Sequence, residues 1–213
     1  MPATPLTIDL WSDIVCPWCW IGKRRLERVL ERTELSHRVQ WRFHAFELGP
    51  RQQSPQPILE HLAQKYQVTL AEARAMTARV ASLGAELGLT MNMDRCQSAA
   101  TFDAHRLVQW AQTLGKAPAL VEILHQAHFR DGLDVSDHGI LRSLASQAGL
   151  DAAEAQRVLS TEAYGAEVEA DLRKASSLEI TGVPYTLVQG KWPVEGAQSL
   201  DVFEKALLEA AGD

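Results

Sequence analysis

The chain has 213 residues, of which 46% are hydrophobic and 23% charged, the usage of a globular protein and not of a disordered or collagen-like chain. The net charge is −6, and the lack of a long basic run argues against general binding to nucleic acid. No apolar stretch approaches the roughly 18 residues of a membrane-spanning helix, so we expect no membrane partner.

The N-terminal part of the chain predicts a strand, a helix and a second strand. Apolar and polar residues alternate over residues 5–11 and again over residues 38–46, a pattern typical of strands. Between them, apolar residues recur at helical spacing from Pro17, and proline is tolerated in the first turn of a helix. This βαβ unit is expected to have parallel strands and a right-handed crossover.

The middle of the chain predicts helices only. Residues 49–57 are rich in proline, glutamine and serine and indicate a connection, after which residues 58–178 carry apolar residues at helical spacing. Thr69 and Glu72 have the spacing of a capping box, which marks the start of a helix. Six helices are predicted here, beginning near Thr69, Thr101, Pro118, Ser136 or Asp137, Asp151 and Tyr164.

The C-terminal part returns to strands. Residues 184–189 and 191–195 flank a Gln-Gly turn pair and predict a hairpin, and a last helix follows. Strands at both ends of the chain must come together as one core, since helices alone do not cover them. We therefore predict that residues 1–53 and 179–213 form one α/β domain, interrupted by an all-helical insertion of residues 54–178.

The segment Cys16-Pro17-Trp18-Cys19 carries the strongest chemical signal. It lies where a strand leads into a helix, so the free N–H groups of the first helical turn favour the thiolate form of Cys16. Cys19 lies on the same helix face and can resolve a mixed disulfide formed at Cys16. This pattern predicts a thiol–disulfide oxidoreductase that acts as a reductase or isomerase. Cys16 is the expected exposed attacking thiolate and Cys19 the shielded resolving thiol.

Other uses of the cysteines fit less well. A zinc site needs two more ligands, and the third cysteine, Cys96, is distant and accompanied only by scattered histidines. A structural disulfide across so short a loop stabilises little. Three cysteines make no disulfide framework, and the chain start lacks the basic and apolar regions of a signal peptide, so we expect a reducing, cytoplasmic location without bound metal.

The chain resembles the DsbA-like branch of the thioredoxin fold, and more narrowly the FrnE-like group of DsbA-family oxidoreductases. The resemblance covers essentially the whole chain. It rests on five separated motifs in the family's order, namely Trp11-Ser12-Asp13 through Cys19-Trp20-Ile21-Gly22, Phe46-Glu47-Leu48 with Pro50, Thr101-Phe102-Asp103-Ala104-His105-Arg106, Gly182-Val183-Pro184 and Gly196-Ala197-Gln198.

The resemblance implies a thioredoxin-like fold with a mixed four-stranded sheet in the order 4-3-1-2 and the helical insertion between strands two and three. It implies that Cys16 is the nucleophile and Cys19 the resolving cysteine. It also implies a cis Val183–Pro184 bond beside the pair, where the backbone of Val183 pairs with an extended substrate segment. The implied partners are disulfide- or thiol-containing proteins or small molecules, with glutathione or thioredoxin as electron partner and no bound cofactor.

Two features keep other functions open. The Pro-Trp dipeptide lacks the histidine of the strongly oxidising DsbA proteins, so the direction of electron flow is not implied. The family is also related to 2-hydroxychromene-2-carboxylate isomerases and kappa-class glutathione transferases, which replace the first cysteine by serine. Cys16 favours dithiol chemistry, whereas a glutathione-dependent isomerase or transferase, with glutathione as co-substrate, is the alternative, and a non-catalytic binding module is a third.

Several residues near the pair are candidates for substrate contact. Pro17, Trp18 and Trp20 adjoin the cysteines, and the two tryptophans fit either a peptide-contact surface or ordinary packing. His105 fits a residue that faces the pair from the insertion, or a hydrogen-bonded core histidine. Cys96 is expected to take no part, and the sequence predicts no oligomeric state.

Overall fold

The computed structural model describes residues 5–51 and 54–212. The first four residues, on which the expectation of no signal peptide partly rests, lie outside the described residues. So do Gln52 and Gln53, which belong to the predicted connection and adjoin the predicted domain boundary. The division of the chain into residues 1–53 with 179–213 and residues 54–178 therefore stays a prediction.

The sheet has four strands in the order β2-β1-β3-β4, which is the predicted order read from the opposite edge. The central strand β1 pairs in parallel with β2, from Leu6 opposite Val39 to Ser12 opposite Ala45. It pairs antiparallel with β3 on its other side, and β3 pairs antiparallel with β4. The strands are β1 (Leu6–Ser12), β2 (Val39–Ala45), β3 (Tyr185–Val188) and β4 (Trp192–Glu195).

Two helices outside the insertion, α1 (Pro17–Arg32) and α9 (Leu200–Gly212), pack against the sheet and each other. Their apolar side chains share one core with Leu6 and Ile8 of β1. Burying these faces supplies the hydrophobic free energy that joins the two ends of the chain, which neither end obtains alone.

The insertion between β2 and β3 contains seven helices among the described residues. They are α2 (Ile58–Tyr66), α3 (Leu70–Ala85), α4 (Phe102–Thr113), α5 (Ala117–His125), α6 (His138–Gln147), α7 (Ala152–Ser160) and α8 (Gly165–Ser177). The capping box of Thr69 and Glu72 starts α3 as predicted, and Asp137 caps α6 by accepting a bond from the Ile140 N–H. No described helix has the length and apolar character needed to cross a membrane.

The insertion shares a core with the sheet and is not a separate globule. Leu10 of β1 and Phe43 of β2 belong to the same buried cluster as Leu107 and Leu120 of the insertion. Glu122 of α5 binds α1 directly, because its carboxylate accepts hydrogen bonds from the side chains of Lys23 and Arg24 at 2.9 and 2.7 Å. These contacts hold the helical layer against the start of α1, where the cysteine pair lies.

Two elements of the insertion differ from the prediction. Helix α2 (Ile58–Tyr66) was not predicted as a separate element; its N-cap is Pro57, and no side chain caps its first turn. Helix α5 is also followed directly by a π-helical turn, Gln126–Arg130, which helical periodicity does not distinguish from an α-helix. Both elements line the cavity described below.

Candidate functional site

The cysteine pair begins helix α1. Cys16 is the N-cap residue, in an extended conformation, and Pro17 occupies the first helical position as predicted. No side chain caps this helix end, and the Cys16 backbone N–H is bonded to the Asp13 carbonyl at 3.2 Å. The Cys16 sulfur therefore lies beside the N–H groups and the positive end of the helix dipole, which favour a negative charge there.

The two thiols differ in their surroundings. Cys19 is fully buried, and burial together with a hydrogen bond to Cys16 raises its pKa well above the usual range. Cys16 was expected to be exposed, and that expectation is wrong, because only 4% of its surface is accessible. Cys16 instead lines a cavity, which is described below.

A loop from the C-terminal part of the chain meets the pair. The Val183–Pro184 peptide bond is cis, as the family resemblance implied, and the Cys16 thiol lies 3.7 Å from the Val183 carbonyl oxygen. Helix α1 approaches this loop closely at Gly22, where an added Cβ would stand 2.9 Å from Cγ of Pro184. The absence of a side chain at Gly22 is therefore what lets Pro184 pack on the helix that carries the cysteines.

Asp13 lies beneath the pair and is fully buried. Its carboxylate accepts hydrogen bonds from the Leu48 N–H at 2.8 Å and from Nε2 of His105 at 3.3 Å. Burial raises the pKa of Asp13, but the hydrogen bond and charge of His105 and the Leu48 N–H outweigh it and hold the pKa below its usual value. His105 is itself only 3% exposed and also bonds the Phe46 carbonyl, so it lies in the core and not on a substrate face.

The structure separates the two tryptophans that flank the pair. Trp18 is 39% exposed and lines the cavity together with Pro17. Trp20 is only 2% exposed, donates from Nε1 to Glu122 at 3.1 Å and stacks on Phe129 with ring centroids 5.8 Å apart. The expectation that Trp20 contacts substrate is not supported, because α1 turns its indole into the interior.

The cavity beside Cys16 has a volume of about 200 Å³. It lies between the start of α1, helices α2 and α3 and the π-helical turn. Sequence reasoning missed it because segments remote in the chain form its walls. Much of its wall is apolar and comes from Ile58, Leu62, Met76, Val80, Met93 and Phe129. Such a pocket accepts an apolar group and brings it next to the Cys16 sulfur.

Cys96 lies outside this constellation. It is 1% exposed, its thiol donates to the His128 carbonyl at 3.3 Å, and burial raises its pKa to about 12. In residues 5–51 and 54–212, no group of three or more histidine, cysteine, aspartate or glutamate side chains could hold a metal ion. All three cysteines are free thiols in the structure.

Comparisons with known proteins agree with this arrangement. The DSBA-like thioredoxin domain family matches residues 7–208 of this chain. A probable DsbA oxidoreductase from Streptomyces coelicolor, known from its crystal structure, is 36% identical and superposes with a TM-score of 0.92 over 98% of this chain and 91% of its own. YwbO, an uncharacterized protein of Bacillus subtilis (strain 168), is 29% identical over 204 residues, which cover 95% of this chain and 96% of YwbO.

A more distant structure shares the fold. The cytosolic disulfide reductase DsbM from Pseudomonas aeruginosa is 22% identical and superposes with a TM-score of 0.66 over 95% of this chain and 97% of its own. The match to the family covers nearly the whole chain, including both cysteines and the cis proline loop. The chain therefore belongs to the DSBA-like thioredoxin domain family of thiol–disulfide oxidoreductases.

Proposed function

We propose that this chain catalyses thiol–disulfide exchange, with Cys16 as the attacking thiolate and Cys19 as the resolving thiol. The observation that carries the proposal is the unequal placement of the two sulfurs. Cys16 caps a helix N-terminus and lines a cavity, whereas Cys19 is sealed from solvent and has a raised pKa. A thiolate is the nucleophile in disulfide exchange, so the accessible cysteine at the helix dipole attacks first.

In the reducing direction the reaction takes two steps. The Cys16 thiolate attacks one sulfur of the substrate disulfide, which forms a mixed disulfide at Cys16 and releases the other half as a thiolate that takes up a proton. Cys19 then loses its proton and attacks the Cys16 sulfur, which releases the second substrate thiolate and leaves a Cys16–Cys19 disulfide. Two electrons pass to the substrate. Two molecules of glutathione, which become glutathione disulfide, or one reduced thioredoxin, which becomes its disulfide, then restore the dithiol.

The loop before β3 is proposed to hold the substrate. Proline has no N–H, so the backbone of Val183 supplies the hydrogen-bonding groups for an extended substrate segment beside Pro184. The Val183 carbonyl bonds only weakly to the Cys16 thiol, at 3.7 Å, and that bond is lost once Cys16 is a thiolate or a mixed disulfide. Pro17 and Trp18 extend the contact surface along the cavity rim.

A reductase or isomerase role in a reducing cytosol fits three cysteines without a disulfide framework. Glutathione is the proposed co-substrate that regenerates the dithiol, and no bound cofactor takes part in the proposed steps. Among proteins of this fold, DsbM from Pseudomonas aeruginosa has been solved with glutathione. The physiological substrate is taken to be a thiol- or disulfide-containing molecule.

The test is disulfide turnover by single-cysteine variants, with Cys96→Ser as the matched control. Cys16→Ser should abolish turnover, Cys19→Ser should accumulate a mixed disulfide with substrate, and Cys96→Ser should behave as the unmodified protein. Retention of a glutathione-dependent isomerase or transferase activity by Cys16→Ser would favour the alternative function. No turnover by any form, the unmodified protein included, would favour a binding module.

A further inference from the structure

The cavity beside Cys16 contains a buried histidine that the exchange reaction does not use. His128 lines the same cavity as Cys16 and is only 1% exposed. Neither of its ring nitrogens has a hydrogen-bond partner among the described residues. Buried polar groups in folded proteins nearly always have partners, because an unpaired one loses its hydration without compensation.

The local backbone holds His128 in this position. It is the middle residue of the π-helical turn Gln126–Arg130, in which the chain makes a wider turn than an α-helix. The carbonyl groups of His128 and Phe129 accept bonds from the Cys96 thiol at 3.3 Å and the Asn92 N–H at 2.7 Å. The segment that contains Asn92 and Cys96 thus anchors the turn, and π-helical turns are frequent at functional sites.

We propose that this cavity binds the aromatic ring of a low-molecular-weight disulfide or thiol, with its sulfur at Cys16 and an uncharged hydroxyl group of the ligand hydrogen-bonded to His128. The proposal rests on the proposed function and names its substrate class. It differs from binding at the Val183 loop, which holds an extended backbone and not an apolar ring.

The size and lining of the cavity support an aromatic occupant. A dry apolar cavity of about 150 Å³ holds benzene. The cavity beside Cys16, at about 200 Å³, therefore suits a ring with a short substituent. Phe129, Trp18 and Tyr66 contribute aromatic surface to the wall. Small-molecule sites commonly combine such a wall with a few polar groups that set the orientation.

The charge state of His128 supports an uncharged polar group. Burial lowers the pKa of His128 to about 4, so the imidazole is neutral near pH 7 and offers one donor and one acceptor. A ligand hydroxyl can use either nitrogen. The neutral imidazole supplies no positive charge to a carboxylate that has lost its hydration, which disfavours an acidic ring substituent at His128.

Binding without chemistry is measured first, by calorimetry on Cys16→Ser protein with benzyl methyl sulfide and para-hydroxybenzyl methyl sulfide, which cannot exchange. Both should bind, and the hydroxylated probe about three- to tenfold more tightly, the effect of one hydrogen bond. Adding His128→Phe should remove this preference while the plain sulfide still binds, and adding His128→Gln should retain it. A preference unchanged by His128→Phe would overturn the assignment of His128.

The cavity itself is tested by filling it. Val80→Phe on α3 should weaken both probes at least tenfold, whereas Ala75→Phe, on the exposed side of the same helix, should change neither. Met76→Trp at the cavity mouth, where the native side chain is 43% exposed, is the second variant should Val80→Phe fail to fold by circular dichroism. If folded Val80→Phe or Met76→Trp protein bound both probes as tightly as the protein with an unfilled cavity, the proposal would be overturned.

Turnover separates this inference from the proposed function. The unmodified protein should reduce dibenzyl disulfide with a higher kcat/KM than hydroxyethyl disulfide, and Val80→Phe or Met76→Trp should lower that ratio. If the protein turned over hydroxyethyl disulfide but neither preferred dibenzyl disulfide nor bound the benzyl probes, the cavity assignment would be overturned. The exchange function would still stand. Binding of benzyl probes with no turnover of either disulfide would overturn the exchange function instead.

Discussion

The thiol of Cys16 donates a hydrogen bond of 3.7 Å to the carbonyl oxygen of Val183, although 167 positions separate the two residues. This contact joins the start of helix α1 to the cis Val183–Pro184 loop and thereby brings the Cys16 sulfur to the backbone proposed to hold substrate. A thiol is a weak donor, so the bond costs little to exchange for a bond with an incoming chain.

Cysteine reactivity should follow the order of accessibility. Iodoacetamide is expected to alkylate Cys16 at least about tenfold faster than Cys19 or Cys96 at about pH 7. Cys16 lies at a helix N-terminus and lines a cavity, whereas burial raises the pKa of both other thiols. Mass spectrometry of the alkylated protein over time locates the modified residue. Faster modification of Cys96 would contradict the assignment of Cys16 as the attacking group.

Gly22→Ala should loosen the site and destabilise the protein. The new Cβ would stand 2.9 Å from Cγ of Pro184, so α1 or the Val183 loop must shift, at a cost of about 1–3 kcal/mol in the free energy of unfolding. In Gly22→Ala protein that still folds, disulfide turnover should fall. Gly165→Ala in α8 is the control, because its Cβ would meet only ordinary contact with Phe102 at 3.6 Å. Equal urea midpoints for the two variants would refute the close-packing argument.

His44 should make stability decrease in alkaline solution. Its Nε2 and Nδ1 each lie 2.6 Å from a carboxylate, of Asp9 and Asp171 respectively. Burial lowers the pKa of His44, but the hydrogen bonds to Asp171 and Asp9 outweigh it and raise the pKa above its usual value. The contribution of protonated His44 to the free energy of unfolding is therefore complete below the pKa of histidine in the unfolded chain, about 6.5. It is lost as the pH rises through the pKa of His44 in the folded protein.

His44→Gln is the variant that measures this effect. Below about pH 6 the substitution should lower the free energy of unfolding by about 1–3 kcal/mol, the range for hydrogen bonds to charged groups. This loss should shrink at alkaline pH. Urea unfolding at a series of pH values gives the difference between the two proteins. A difference that does not change with pH would show that His44 is neutral in the folded protein.

His125 should make stability decrease in acid. It is fully buried with no hydrogen-bond partner for either ring nitrogen among the described residues, and burial lowers its pKa to about 3. Because the folded protein resists protonation of this ring, stability is lost as the pH falls from the unfolded pKa of about 6.5 towards the folded one. His125→Phe, which keeps the stacking on Trp20, should unfold less readily between about pH 6 and pH 4. If His125→Phe lost stability in acid as much as the unmodified protein does, the prediction for His125 would be contradicted.

The chemistry of the pair was accessible from local sequence. The strand that ends before Cys16 and the proline that follows it determine a helix start, so the N-cap position of Cys16 could be predicted without any distant contact. The strand order and the cis Val183–Pro184 bond came from the family resemblance and are confirmed. The start of helix α2 was not predicted, and its N-cap residue, Pro57, offers no capping side chain.

The sequence by itself determined where helix α1 begins and that Cys16 and Cys19 lie one turn apart, since these depend on neighbouring residues. Only the tertiary structure decided which side chains near the pair are exposed. Trp18 and Trp20 are two residues apart and thus about 200° apart around the helix, so one is exposed while Glu122 and Phe129, from the insertion, bury the other. The cavity that joins Cys16 to His128 has the same origin, because burial is set by contacts between segments remote in the chain.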